Sequence, residues 1–291
     1  MTGLDIVLPL DKPEGPTSHD VVAMARKALG IRRVGHTGTL DPFASGLLLL
    51  CIGRATRLAE YLSGLPKSYD AVARLGITTD TEDRDGEPSE ECPDWSDLTR
   101  ETVVSAMQDF TGAIDQVPPQ FSAKKVDGVA MYRRARRGEH VELAKRPITV
   151  HELELKSLAL PFMEFHVRCS SGTYVRSLAR DIGLSLGVGA HLTGLRRTSI
   201  GAHTLEAAIT PEQLDDPEAV SRAALTPLDA VAHLPSVVVD ERSRDRLAFG
   251  QSLDAPETAE GEQIAVACDG RLVAIAEVRA GELRPKKVFL P

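Results

Sequence analysis

The 291-residue chain is poor in aromatic residues, at 4% with a single tryptophan, and it has only four cysteines. Cys51, Cys92, Cys169 and Cys268 lie far apart, so there is no CxxC pair and no zinc-finger spacing. Cys51 and Cys169 fall in apolar or strand-like stretches and read as buried thiols, which suits a reducing, cytoplasmic setting. The longest apolar run, Leu47 to Ile52, is far too short to cross a bilayer. The start, MTGLDIVLPLDKP, lacks a basic segment followed by an apolar core, so no signal peptide is expected. GxSxG and the GK[ST] ending of a P-loop are both missing, which argues against a nucleophile elbow and a phosphate-cradling loop. His19, His140, His151, His166, His191 and His203 show no metal-ligand spacing, so no metal is expected. A basic excess is missing too: 34 Lys and Arg stand against 42 Asp and Glu, a net charge of −8 that at first sight counts against a nucleic-acid binder.

What is present is ordinary for a folded protein: 42% hydrophobic and 26% charged residues, in a chain long enough for about two domains. Ile6–Leu10 reads as a strand, followed by a helix capped at Thr17 or Ser18 and stopped by Gly30. Residues 31–46 read as a loop, 47–52 as a buried strand, 56–62 as a short helix and 69–77 as a strand. The acidic stretch 78–101 reads as a solvated surface excursion. A helix capped by Thr99 follows, then strands at about 149–158 and 162–169 and a helix opened by Thr173. Near Leu234-Pro235 the composition shifts, and Asp269-Gly270 marks a hairpin in a β-rich tail. The expectation is an α+β fold with a main domain at 1–234 and a small β-rich domain at 235–291.

Divided along the chain, the charge is not uniform. It is +2 over 1–77, −10 over 78–117, +7 over 118–200, −9 over 201–262 and +2 over 263–291. The positive charge is concentrated in one internal stretch, and like-charge repulsion should turn the acidic blocks away from a polyanion.

Three constellations carry chemistry. Gly35-His36-Thr37-Gly38-Thr39-Leu40-Asp41-Pro42 places an acid before a proline in a glycine-bearing loop. Its residue types alone also suit an Asx turn with Asp41 as a capping group. Lys124, Lys125, Arg133, Arg134, Arg136 and Arg137, with Phe121 and Tyr132 among them, suit either a solvated helix or a phosphate-contacting arm. In Ser170-Ser171-Gly172-Thr173-Tyr174-Val175-Arg176 a cation sits in the first turn of a helix, against the dipole, which asks for a carboxylate partner.

Taken together, the segments 11–22 (DKPEGPTSHDVV), 35–58, 67–86 (KSYDAVARLGITTDTEDRDG), 118–139, 146–150 (RPITV) and 169–197 resemble the TruB family of bacterial tRNA pseudouridine-55 synthases, in family order. The resemblance implies the pseudouridine synthase fold, a mostly antiparallel central sheet flanked by helices with a PUA-like C-terminal domain. It implies a thumb-like insertion at about 118–147 that closes over the T-loop. It also implies isomerisation of uridine 55 in the T-arm of tRNA by a monomer that needs no cofactor. The family's essential aspartate falls on Asp41, its paired arginine on Arg176 and its active-site tyrosine on Tyr69. His36 corresponds to a residue that helps hold the flipped-out base, and Leu195 to one packed near it. Lys12, Lys124, Arg134 and Arg137 are candidate phosphate contacts. A tRNA-folding chaperone is the runner-up, though a pure binder has no need of the carboxylate.

Overall fold

The structure is a computed structural model. It describes residues 4–92, 94–121, 125–126, 129–130, 143–255 and 260–290. The chain divides into two compact units, one of Met1–Asp41, Gly46–Gly64 and Gly201–Pro291, the other of Pro42–Ser45 and Leu65–Ile200.

In the first unit, strand Ile6–Lys12 pairs antiparallel with Ser45–Ile52 along its whole length, from Ile6 opposite Ile52 to Lys12 opposite Gly46. Ser45–Ile52 is buried over its last seven residues, which explains its unbroken apolar sequence. Helix Ser18–Leu29 is held by a capping box between Thr17 and Asp20 and stopped at Gly30, whose φ of 66° is left-handed. Val21, Val22 and Ala25 pack against Leu8, Leu10, Leu48, Leu50 and Ile52. The loop expected at 31–46 contains a short strand, Val34–His36, also paired with Ser45–Ile52. The helix expected at 56–62 is a 3-10 turn, Gly53–Leu58, running into Ala59–Ser63.

The β-rich tail is a five-stranded sheet with its own core of Leu247, Ile264, Val266, Val273 and Leu283. Asp269 and Gly270 both adopt positive φ, 50° and 71°, as the tight hairpin turn requires. The tail is fastened to the segment 53–63: Arg57 donates to the Val288 carbonyl and lies over the Phe289 ring at 5.6 Å, while Lys287 pairs with Glu60.

The second unit contains five antiparallel strands in the order Ala190–Ile200, Lys67–Leu75, Phe162–Cys169, Arg146–Ala159, Gly112–Gln116. Lys67–Leu75 alternates along its length: Tyr69, Ala71, Ala73 and Leu75 are buried and Asp70 is exposed. Helix Val175–Ser185 buries Val175, Leu178, Ala179 and Ile182. It begins two residues later than Thr173, with Tyr174 in the cap position. The stretch 78–101 is not wholly a solvated excursion. Residues Ile77–Thr79 and Pro88–Glu91 pair as a hairpin, and Thr79, Glu82 and Asp83 are buried.

The architecture is therefore α+β, with largely antiparallel sheet, flanking helices and a β-rich C-terminal module. Among the described residues no helix is long and apolar enough to cross a membrane.

Candidate active site

Lys12, His36 and Asp41 belong to the first unit; Tyr69, Arg176 and Leu195 belong to the second. Lys124, Arg134 and Arg137 lie outside the described side chains.

In the first unit, Asp41 ends the loop that leaves strand Val34–His36. It is half-buried, whereas Thr37 and Leu40 before it and Phe43 and Ala44 after it are buried. The loop is tied down by backbone and side-chain bonds. Thr37 N–H donates to the Leu49 carbonyl at 3.2 Å. The buried Ser18 hydroxyl accepts from Leu40 N–H at 2.8 Å and donates to the Leu40 carbonyl at 3.1 Å. His36 Nδ1 accepts from Gly38 N–H at 3.2 Å. An accepting Nδ1 leaves the neutral ring's proton on Nε2.

Lys12 is fully buried, and its ammonium donates to the Pro13 and Pro16 carbonyls, both at 2.8 Å. These two bonds staple the turn that follows the strand. The PEGP turn leaves these carbonyls without secondary-structure partners, and the lysine supplies donors for them.

In the second unit, Tyr69 stands opposite Val167 on one side and Arg197 on the other, while Leu195 stands opposite Ala71. Tyr69, Leu195 and Arg197 therefore share one face of the sheet, and all three are buried. Lys67, at the start of the same strand, is buried as well. Burial, with Arg197 adding to it, lowers its ammonium from 10.5 to about 8.

Arg176 pairs with Asp83 at 3.1 Å and donates to the carbonyls of Thr81 at 2.7 Å and Phe121 at 2.8 Å. One turn further along the helix, Arg180 pairs with Glu82 and donates to the Val117 carbonyl at 3.1 Å. Ser177 donates to Glu82 at 2.7 Å. Burial raises the Glu82 carboxyl more than Arg180 and Ser177 lower it. Two carboxylates thus face the N-terminal half of a helix whose side chains are cationic, and the unfavourable position of Arg176 is resolved. Asp83 is further bonded by Thr81 Oγ1 at 2.6 Å and by Asp85 N–H at 3.1 Å.

The side-chain amide of Gln116, itself buried, exchanges two hydrogen bonds with the backbone of Tyr174, at 2.9 and 3.0 Å. Gln116 also stands opposite Arg146 in the pairing that brings together the two ends of the segment between them. In the sequence Ser18 reads only as a possible helix cap, and Glu82, Asp83, Gln116 and Arg180 do not stand out as site residues. A signal existed for the acids: Arg176 and Arg180 are four apart on one helix, and TDTEDRDG is the cluster that complements them. Among the described residues no group of His, Cys, Asp and Glu side chains is arranged to hold a metal ion.

Residues 26–175 match the model of the TruB family pseudouridylate synthase N-terminal domain. Residues 176–232 match that of the tRNA pseudouridylate synthase B C-terminal domain. The chain is 46% identical to the tRNA pseudouridine synthase B of Burkholderia lata, over 99% of this chain and 91% of that protein. It is 45% identical to that of Thermobifida fusca, over 98% of each. Among solved structures it resembles a chain of an H/ACA ribonucleoprotein bound to a substrate RNA containing 2'-deoxyuridine. The TM-score there is 0.77 at 28% identity, over 98% of this chain and 85% of that one. A Cbf5-Nop10-Gar1 complex matches equally well, with the same TM-score, identity and coverage.

Proposed function

The chain belongs to the TruB family of tRNA pseudouridine synthases, and we propose that it isomerises uridine 55 in the T-loop of tRNA, with Asp41 as the essential carboxylate. The observation that carries this reading is the placement of Asp41: a half-buried residue directly after Leu40, whose backbone N–H and carbonyl are both bonded to the buried Ser18. In the reaction the C1′–N1 bond breaks, the base turns, a C5–C1′ bond forms, and the C5 proton is lost while N1 gains one. Substrate and product are isomers, so no oxidant, reductant or energy source enters the balance. A carboxylate beside an anomeric carbon has the chemistry of a glycosidase nucleophile or base.

The target base is stacked in the folded T-loop and must be extruded, at a cost of a few kcal/mol. His36, with a neutral ring able to stack and to donate from Nε2, helps hold the extruded arrangement. Tyr69 offers a ring face to the uracil, with Leu195 beside it on the same sheet face. Arg176 belongs to the catalytic set. The basic segment at about 118–147 supplies cations to the T-loop backbone, with Lys124, Arg134 and Arg137 contacting phosphates. The domain at 235–291 acts as a PUA-like RNA-binding module beside the catalytic domain at 1–234. The enzyme works as a cytoplasmic monomer.

The test is release of tritium from tRNA labelled at uridine C5, with the modified position then mapped on the product. Wild type should release tritium from position 55, and Asp41→Asn should release none. Silence from the wild type would leave the chaperone reading standing. Full release by the variant would remove Asp41 from its role. Arg176→Ala should slow a single turnover more than it weakens tRNA binding, and equal losses in both would remove Arg176 from the catalytic set.

A further inference from the structure

The first turn of helix Ser18–Leu29 touches the His36–Asp41 loop at both ends. At the far end, Ser18 is 1% exposed and bonds both backbone groups of Leu40, across 22 residues of sequence. At the near end, the His19 ring stands edge-on to the His36 ring, with centroids 5.4 Å apart and planes at 85°. The turn itself is stiff: Thr17 and Asp20 form a reciprocal cap, and the helix behind them packs into the core.

The loop's backbone is intrinsically permissive, and its position is set by the bonds it makes. Gly35 and Gly38 give it that freedom, and the buried Thr37 hydroxyl has no hydrogen-bond partner among the described residues. The contacts from Ser18 and His19 act on this loop from the stiff helix turn, beside the Thr37 bond to Leu49. With Leu40 N–H and C=O both fixed, and with Asp41 confined to extended backbone by Pro42, the carboxylate keeps only its side-chain torsions. With Nδ1 of His36 bonded to Gly38 and its ring in T-shaped contact with His19, the His36 ring is held in orientation and tautomer.

We propose that Ser18 and His19 are positioning residues of the isomerisation, Ser18 for the Asp41 carboxylate and His19 for the His36 ring. The proposal rests on the roles given above to Asp41 and His36. Neither residue touches the reacting atoms on this view; each acts through the loop. A displacement of about 1 Å at a reacting group costs on the order of 100-fold in rate, so modest slackening is measurable.

The experiment combines single-turnover tritium release, tRNA binding and thermal melting on Ser18→Ala, His19→Ala and His19→Phe. Ser18→Ala should lower the single-turnover rate by about 10-fold or more while the tRNA Kd stays within about 3-fold, because a buried Leu40 N–H loses its acceptor next to Asp41. His19→Ala should lower the rate by about 2- to 10-fold, the worth of an edge-to-face contact. His19→Phe, which keeps a ring but no titratable nitrogen, should restore it to within about 2-fold. A second readout does not depend on turnover: imidazole 15N shifts should report a single Nε2–H form of His36 in wild type and a tautomer mixture in His19→Ala. Loss of activity in wild type overturns the reaction assigned above, whereas unchanged 15N shifts in His19→Ala overturn the positioning of His36 by itself. Rates of Ser18→Ala that match wild type, or that fall only in step with binding and melting temperature, overturn the role of Ser18. Equal rates for His19→Ala and His19→Phe overturn that of His19.

Discussion

Arg176 and Asp83 form a 3.1 Å ion pair in which both side chains are more than nine-tenths buried. They are 93 residues apart in sequence, one on a helix and the other in an acidic turn. Each is satisfied beyond the pair, Arg176 by the Thr81 and Phe121 carbonyls and Asp83 by Thr81 and Asp85. Removing Arg176 should therefore cost about 3–5 kcal/mol, because it leaves the Asp83 carboxylate buried without its cation. Removing both with apolar groups of similar volume should cost clearly less than the sum of the singles. Urea unfolding of Asp83→Leu, Arg176→Met and the double variant gives the cycle. Additive losses would mean that the two charges are held independently.

Lys67 makes stability pH-dependent in the alkaline range. Its ammonium is lowered from 10.5 to about 8, first by burial and then by Arg197. A base whose folded value is depressed contributes stability that is fully present above its unfolded value and lost as pH falls through its folded value. The wild type should thus gain stability from Lys67 between about pH 8 and 10.5, by up to roughly 1.4 kcal/mol per pH unit. Lys67→Met should be the more stable protein at pH 7.5, and its advantage should shrink by pH 10. Unfolding curves of the two proteins across that range measure the gap, and a constant gap would refute the assignment.

Much of this architecture is legible from local rules. The cap at Thr17, the stop at Gly30, the buried run 47–52, the strand 162–169 and the Asp269-Gly270 turn all rest on near-neighbour chemistry that a sequence displays directly. The loop 35–42 is locally unusual, but its residue types alone suit an Asx turn, and the role expected of Asp41 comes from the resemblance. The misreadings were of partners far away. Residues 78–101 carry so much negative charge that solvation is the natural expectation, yet Glu82 and Asp83 are buried because Arg180 and Arg176 neutralise them. The bonds of Lys12 to the Pro13 and Pro16 carbonyls depend on the shape of the following turn, which residue types alone do not display. Ser18 looks like a second choice of helix cap and instead bonds a residue 22 positions away.

The thiols should divide sharply by environment. Burial pushes Cys51 up to about 12 and Cys169 up to about 11, and burial with the neighbouring Asp269 raises Cys268. Cys92 is only half-buried. At pH 8 the folded protein should take up one equivalent of iodoacetamide, at Cys92, and four after unfolding in guanidinium. Peptide mass mapping reads the sites, and rapid native labelling at Cys51 or Cys169 would contradict the packing of their strands.

Gly183 is where the helix bearing Arg176 and Arg180 comes closest to strand Ala190–Ile200. A Cβ at this position would lie 2.5 Å from Ala190 N and from Ala190 Cβ, too close for any side chain. The approach is reinforced by two hydrogen bonds, from Val188 N–H at 3.1 Å and Gly189 N–H at 2.9 Å, that both end on the Gly183 carbonyl. In an exposed helix a Gly→Ala change stabilises by about 1 kcal/mol, because alanine is the better helix former. Here the sign should reverse: Gly183→Ala must push the helix off the strand and should destabilise by about 1–3 kcal/mol, the usual range for overpacking. Since Arg176 rides on that helix, the shift should also move its guanidinium relative to Asp83. The single-turnover rate should therefore fall even at temperatures where the variant is fully folded. Urea unfolding together with a rate measured well below the melting transition checks both parts, and a variant as stable as wild type would show that the helix does not need the contact at Ala190.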